Sequence, residues 1–466
     1  MKNYDLIVIG SGAGMNVAAN AVAYGMKVAV VDRGPLGGTC LNRGCIPSKV
    51  MLHPADVIRM VEEARAIGIH ARVEKVDFDL IMKRVWEIVL DGRHDMEHGV
   101  AHSRQIDFFN TDGAFVSDYT VRVDRKRITA DKIVIASGAR PFIPPIEGLE
   151  EVGYLTSATI FDIEQPPESL VIVGGGYIAA EFAHFFSAIG THVTIVGRNP
   201  RLVPQEEPEI SELLKQKLSG YCQVYTGYEA LRAETNAGLK TITAVNRADG
   251  QPHEFTAQEI LIAAGRRSNA DILQPGNSGV ETDEKGWVKV DPFLRTTKEG
   301  IWALGDALGK HMFRHTANYH ADVVWTNAFT GHQHPVDEHA VPHAVFTYPE
   351  IASVGMTMEQ AMQSHDILVG AKRYADTAKG YAIGEEDGFA KVIVERETGK
   401  ILGAHIIGPH ASILLQQLVY LMHTDDQSYL PLARAQTIHP ALSEVVVGAF
   451  GNLMPVDEHV HEHAHR

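Results

Sequence analysis

Two of the chain's three cysteines, Cys40 and Cys45, lie in GGTCLNRGCIPSK, residues 37 to 49, with four residues between them. The third, Cys222, stands apart in SGYCQVY. Three cysteines are too few for a secreted disulfide framework. A close pair in a reducing compartment serves either reversible redox chemistry or metal binding. Either role needs a scaffold that holds two sulfurs at a fixed place beside a reaction partner.

The elements that could do so are written on both sides of the pair. Residues 4 to 31 read YDLIVIGSGAGMNVAANAVAYGMKVAVV: an apolar strand, a glycine turn, an alanine-rich helix and a second apolar strand closing on Asp32. This is a βαβ unit in which Gly10 and Gly12 allow a tight turn and close approach to a pyrophosphate seated on the helix N-terminus. Asp32 is placed to accept hydrogen bonds from a ribose 2′-hydroxyl. The third fingerprint position is Met15, where glycine or alanine is usual, and Gly14 beside it is expected to absorb the strain. The pattern recurs in SLVIVGGGYIAAEFAHFFSAIGTHVTIVGRNPR, residues 169 to 201, with Gly174, Gly176 and Ala179 at the three positions. Two matches in full strand–turn–helix–strand context predict two dinucleotide sites. The second unit closes on Gly197 and Arg198, with Arg201 following. A missing carboxylate with arginines nearby suits the 2′-phosphate of NADPH better than NADH.

The whole chain frames these units. Its 466 residues predict two to four domains, and 45% hydrophobic against 21% charged residues is an ordinary globular balance. A formal charge of −16 excludes nucleic acid and anionic membrane surfaces as partners. No apolar run approaches the roughly 18 residues that span a bilayer, and the first residues enter a strand pattern directly, so the expectation is a cytoplasmic protein.

The cysteine pair, the two nucleotide loops and HPALSE near the end together resemble the flavoprotein disulfide reductases. That family includes dihydrolipoamide dehydrogenase, glutathione reductase, mycothione reductase and mercuric reductase. The resemblance covers nearly the whole chain. IVIASGARP at 133 to 141 is similar to the segment returning from the flavin domain, and TTKEGIWALGD at 296 to 306 to the second flavin-binding motif. HAVFTYPEIASVG at 343 to 355 and GEEDGFAKVIVERETGKILGAHIIGPHA at 384 to 411 resemble the C-terminal interface domain, where alternating apolar residues read as a sheet. The implied fold is α/β: two Rossmann-like dinucleotide-binding domains, for FAD and NAD(P), plus an α+β C-terminal dimerisation domain. The expected division is 1–150 and 276–342 for FAD, 151–275 for NAD(P)H, 343–450 for the interface, and a flexible histidine-rich tail over 451–466.

The resemblance also implies roles. Cys40 and Cys45 are the redox disulfide, Cys45 beside the flavin and Cys40 attacking the substrate. A helix N-terminus at the pair would favour a thiolate, and Gly44 would let the turn close. His439, oriented by Glu444 in TIHPALSEVV, is the acid–base contributed to the partner subunit's cysteines, so a homodimer with shared active sites is expected. Lys49 and Glu181 form an ion pair beside the flavin. Asp306 binds the ribityl and diphosphate region, and Gly14, Thr39, Ser137, Gly138, Gly265 and Gly305 complete the expected cofactor contacts. Arg43 either turns its charge toward the disulfide cleft or is a solvated helix-start residue.

Electrons would pass from NADPH through FAD and the cysteines to a low-molecular-weight disulfide, with mycothione reductase the leading comparison. Dihydrolipoamide dehydrogenase, NAD-linked and run in reverse, is the alternative. Mercuric reductase and large thioredoxin reductases carry a C-terminal cysteine pair, and this chain has no cysteine past Cys222. A flavoprotein oxidase or electron-transfer protein would keep both nucleotide loops and ranks lower. No metal site is expected: Cys222 reads as a buried strand cysteine and a zinc site lacks its second ligand pair. The histidines in GHQHPVDEHAVPH, 331 to 343, and in the terminal DEHVHEHAHR read as solvated segments of biased composition rather than a metal buffer.

Overall fold

The computed structural model describes residues 2–459. The apolar run Leu6–Ile9 forms a fully buried strand at the centre of a five-stranded parallel sheet. Such runs are what a parallel sheet covered on both faces demands. The strand order is Ile301–Ala303, Ile133–Ile135, Leu6–Ile9, Val28–Asp32, Ile106–Asn110. One edge strand therefore comes from some 160 residues further along the chain than its neighbour, joining the 1–150 and 276–342 segments in one body.

A second parallel sheet repeats the architecture with the order Leu155–Thr156, Glu259–Ile262, Ser169–Val173, His192–Gly197, Gln223–Thr226. Strands His343–Val345, Ile351–Gly355, Ile401–Ile407, Phe389–Glu395, Ile367–Arg373 and Met454–Pro455 form a six-stranded antiparallel sheet. Helices Ala411–Met422 and Ser443–Gly451 pack against it through Leu415, Leu418, Val445 and Ala449.

The cysteine-bearing helix Cys45–Glu63 joins the first two bodies. Met51, Leu52, Ala55 and Ile58 share one core with Val85 of helix Phe78–His102 and with Phe182 and Phe186 of helix Tyr177–Ala188. The second and third bodies are tied by buried ions: Lys391 Nζ lies 2.9 Å from Glu207 Oε2, each side chain 1% exposed.

The expected flexible tail is corrected over 451–459. Gly451 ends a helix, Met454 and Pro455 pair with Val369 and Leu368, and His459 is buried. The pairing supplies a hydrogen-bonding edge that composition does not reveal. The expected tail over 460–466 lies outside the described residues. No helix among the described residues is long and apolar enough to cross a membrane.

Candidate active site

The first glycine loop follows strand Leu6–Ile9. Gly10 has φ 110°, and a Cβ there would fall 2.0 Å from the Ala136 carbonyl oxygen, so only glycine fits. The irregular third position is resolved one residue early. A Cβ on Gly14 would meet Val8 Cγ1 at 2.7 Å and Ala136 Cβ at 2.9 Å, so Gly14 provides the close helix–strand contact. Met15 is thereby free to pack, partly buried, against the same core. Asp32 accepts bonds from Ser11 N and Oγ, both 2.7 Å, and from Gly34 N at 2.9 Å, which fixes its carboxylate at the loop mouth. In the second loop Gly174 is held against Ala263, Gly176 opens to free space and Ala179 is buried under the helix.

Cys40 lies in the short helix Gly38–Arg43, and Cys45 is the first residue of the 19-residue helix Cys45–Glu63. Pro47 falls in the first turn, where backbone N–H groups have no intrahelical acceptor and proline costs nothing. A Cβ on Gly44, between the two helices, would lie 2.9 Å from the Thr39 carbonyl oxygen, so a side chain there would push the cysteine segments apart. Both thiols are free and close enough to shift each other's titration. The interaction with Cys40, helped by the Lys49 charge and opposed by burial, lowers the Cys45 pKa to about 7. The same interaction, with burial and the Cys45 charge, drives the Cys40 pKa upward. Negative charge therefore rests on Cys45, at the positive end of its helix.

Both sulfurs open into one cavity of about 1080 Å³, at the upper end of ordinary small-molecule sites. It runs past Gly10, Gly12 and Asp32 at one end and reaches Tyr177 and Glu181 of the second nucleotide-loop helix at the other. Thr39, Ser137, Gly138, Gly305 and Asp306 also line it. Lys49 Nζ donates to Glu181 at 2.8 and 2.9 Å, and Glu181 Oε1 accepts from Phe346 N at 3.0 Å. The ammonium also sits 4.6 Å from the Phe346 ring centroid. Asp306, its pKa raised by burial against the pull of Arg266, lies 3.5 Å from Arg266 Nε, a buried atom with no hydrogen-bond partner. That waiting donor, the buried carboxylate and the glycine-lined end fit FAD: polar groups for a ribityl–diphosphate chain, and space beside the sulfurs for a ring.

Other expected residues lie elsewhere. Gly265, with φ 119°, does not line the cavity and shapes the turn before Arg266. Arg198 faces Glu229 at 3.7 Å, whereas Arg201 borders a separate surface depression with Glu209 and Glu212. His439 Nδ1 bonds Glu444 Oε1 at 2.8 Å, and Ala441 N donates to Glu444 Oε2, so the imidazole is oriented. It is nonetheless 71% exposed and outside the cavity of its own chain. Cys222 is buried with its pKa pushed up to about 12, and it sits in the turn ahead of strand Gln223–Thr226 rather than in a strand. Arg43 borders the cavity.

The cavity also holds residues that were not among the expected site residues. Arg314 and His315 open helix Arg314–Phe329, and His343 stacks on Phe313 at a centroid distance of 5.7 Å. Arg314 is near enough to pull the Cys40 pKa down, against the larger upward effects. Tyr177, the first residue after the second glycine loop, could have been marked from that position.

Comparison with known proteins places this geometry. Residues 4–321 match the pyridine nucleotide-disulphide oxidoreductase model, and residues 341–450 match the dimerisation domain of that family. The chain is 37% identical to mycothione reductase of Mycobacterium tuberculosis (strain ATCC 25618 / H37Rv) over 96% of this chain and 99% of the relative. It is 32% identical to dihydrolipoyl dehydrogenase of Chlamydia trachomatis, with 98% of each covered. The solved structure of the HOCl-induced flavoprotein disulfide reductase RclA from Escherichia coli superposes with a TM-score of 0.85 at 28% identity, covering 96% of this chain and 99% of that one.

Proposed function

The chain belongs to the pyridine nucleotide-disulphide oxidoreductases, as a class I flavoprotein disulfide reductase, and from that premise we propose that it carries two electrons from NADPH to a low-molecular-weight disulfide. The observation that carries the reading is the unequal pair of thiols in a cavity that touches the first nucleotide loop and the helix that follows the second. FAD, when bound, supplies the redox ring between reduced nicotinamide and sulfur.

The chain's own residues define the sulfur steps. Cys40, disfavoured as a thiolate, needs a base, and His439 of the partner subunit supplies it with Glu444 holding the ring. The Cys40 thiolate attacks one sulfur of R–S–S–R′, forming Cys40–S–S–R and expelling R′S⁻, which takes the proton from the imidazolium. Cys45, already a thiolate, then attacks the Cys40 sulfur and releases RS⁻. The Cys40–Cys45 disulfide left behind holds the two-electron oxidation, and Glu181 holds the Lys49 ammonium whose charge favours the Cys45 thiolate.

Preference for NADPH rests on Gly197, where no carboxylate repels a 2′-phosphate, and on the exposed Arg198 beside it. A homodimer is supported by the matched dimerisation domain. A small disulfide, rather than lipoyl groups of a large complex, is supported by the full-length similarity to mycothione reductase. An alternative, NAD-linked oxidation of dihydrolipoyl groups, rests on the similarity to dihydrolipoyl dehydrogenase. A cytoplasmic location completes the proposal.

Anaerobic titration with NADPH and NADH in parallel tests it, following the flavin band and the long-wavelength thiolate–flavin band. NADPH is expected to produce that band at lower concentration. Arg198→Ala should raise the KM for NADPH by roughly tenfold, the loss of one charge-assisted contact, and leave that for NADH unchanged. A lower requirement for NADH, with turnover on dihydrolipoamide, would replace this reading with the alternative.

A further inference from the structure

We propose that Asp337, His339 and His423 form a binding site for one divalent cation of the Zn²⁺, Ni²⁺ or Cu²⁺ class, clamping the 331–342 segment onto the end of helix Ala411–Met422. One oxygen or ring nitrogen from each residue lies within 4.8 Å of the others. The two imidazole centroids are 4.8 Å apart. None of the three lines the cavity that holds the cysteines.

Hydrogen bonding from outside the cluster fixes which ring atoms are available. His423 Nδ1 lies 2.8 Å from the Val419 carbonyl oxygen, and His339 Nε2 lies 2.7 Å from that of Met422. A carbonyl only accepts, so both of these nitrogens carry hydrogen. That leaves His423 Nε2 with a lone pair and turns His339 Nδ1 toward Asp337 Oδ1, to which it is hydrogen-bonded. A carboxylate also only accepts, so the His339–Asp337 contact requires a second proton on the His339 ring. His339 Nδ1, His423 Nε2 and the Asp337 carboxylate are thus the atoms left to face one another.

Anchoring the outer ring N–H on a backbone carbonyl is the usual support of a metal-bound histidine. Here both carbonyls come from the last turn of one helix, where they lack intrahelical donors. Two imidazoles and one carboxylate suit borderline transition ions, whereas Ca²⁺ and Mg²⁺ take oxygen ligands. With three protein ligands a coordination position remains for water. Binding would exchange the His339 Nδ1 proton for the ion, so affinity falls as pH drops.

The test is calorimetric titration of the oxidised holoenzyme with Zn²⁺, its cysteines held as the disulfide. One tight site is expected, with proton release that grows as the pH is lowered. His423→Gln and Asp337→Asn should each weaken that site by at least ~10-fold, leaving disulfide reduction unchanged. Replacing His461, His463 and His465 with Ala should leave it intact. A tight site that survives both His423→Gln and Asp337→Asn, or that disappears with the terminal histidines, would overturn the proposal. So would weak binding equal in all variants.

Discussion

At the residue scale, the two cysteines differ less by their own chemistry than by their surroundings. Their mutual interaction and the Lys49 charge lower the Cys45 pKa to about 7, while Cys40 is pushed upward and stays protonated. In the reduced holoenzyme the thiolate–flavin band should therefore be full above neutral pH and fade as pH falls through about 7. Cys40→Ala removes the largest cause of the lowering, so the midpoint should move upward by at least about one unit, worth ~1.4 kcal/mol. Lys49→Met should move it less, since the Lys49 charge is the smaller favourable effect. A spectroscopic pH titration of the three proteins checks this, and an unmoved midpoint in Cys40→Ala would place the charge under other control. The cysteine spacing announces a redox or metal-binding pair, and the family resemblance selects the redox role. The spacing does not announce which sulfur holds the charge, because that depends on Gly44 dividing the segment so that Cys45 opens a long helix while Cys40 does not.

At the element scale, apolar runs and glycine turns made both βαβ units readable, since each is local in sequence. The third sheet was read as a sheet, but alternation misdescribes its strand Phe389–Glu395. Five consecutive residues there are buried, including Lys391, because the second body covers the other face. The partner of Lys391, Glu207, lies 184 residues earlier, beyond any local pattern. Lys391→Ala should destabilise the protein by about 3–5 kcal/mol, as it leaves buried carboxylates without their counter-ion. Lys391→Met with Glu207→Gln should recover much of the loss, since no unpaired charge remains at Glu207. Thermal unfolding of the two holoenzyme variants distinguishes these outcomes. Arg314 escaped the sequence reading for the same reason, and His343 stood in a segment read only as interface sheet. Only tertiary packing brings them to the cavity.

At the scale of the whole molecule, an oriented but exposed His439 outside its own chain's cavity is compatible with the proposed shared dimer site. Mixing Cys40→Ser and His439→Ala subunits tests this directly. If each site takes cysteines from one chain and the imidazole from the other, a mixed dimer contains one wholly native site. Activity should then reappear at about half the native value per mixed dimer, from two nearly inactive parents, while an intrachain arrangement leaves the mixture inactive. The first sheet carries a different consequence, one of timing on the ribosome. Its strand Ile133–Ile135 remains an open edge until Ile301–Ala303 pairs with it. At ~5–20 residues per second, that strand waits about 8–35 s for its neighbour to be made. During synthesis this nascent apolar edge is open to mispairing, and slowing translation between the two strands should raise the aggregated fraction.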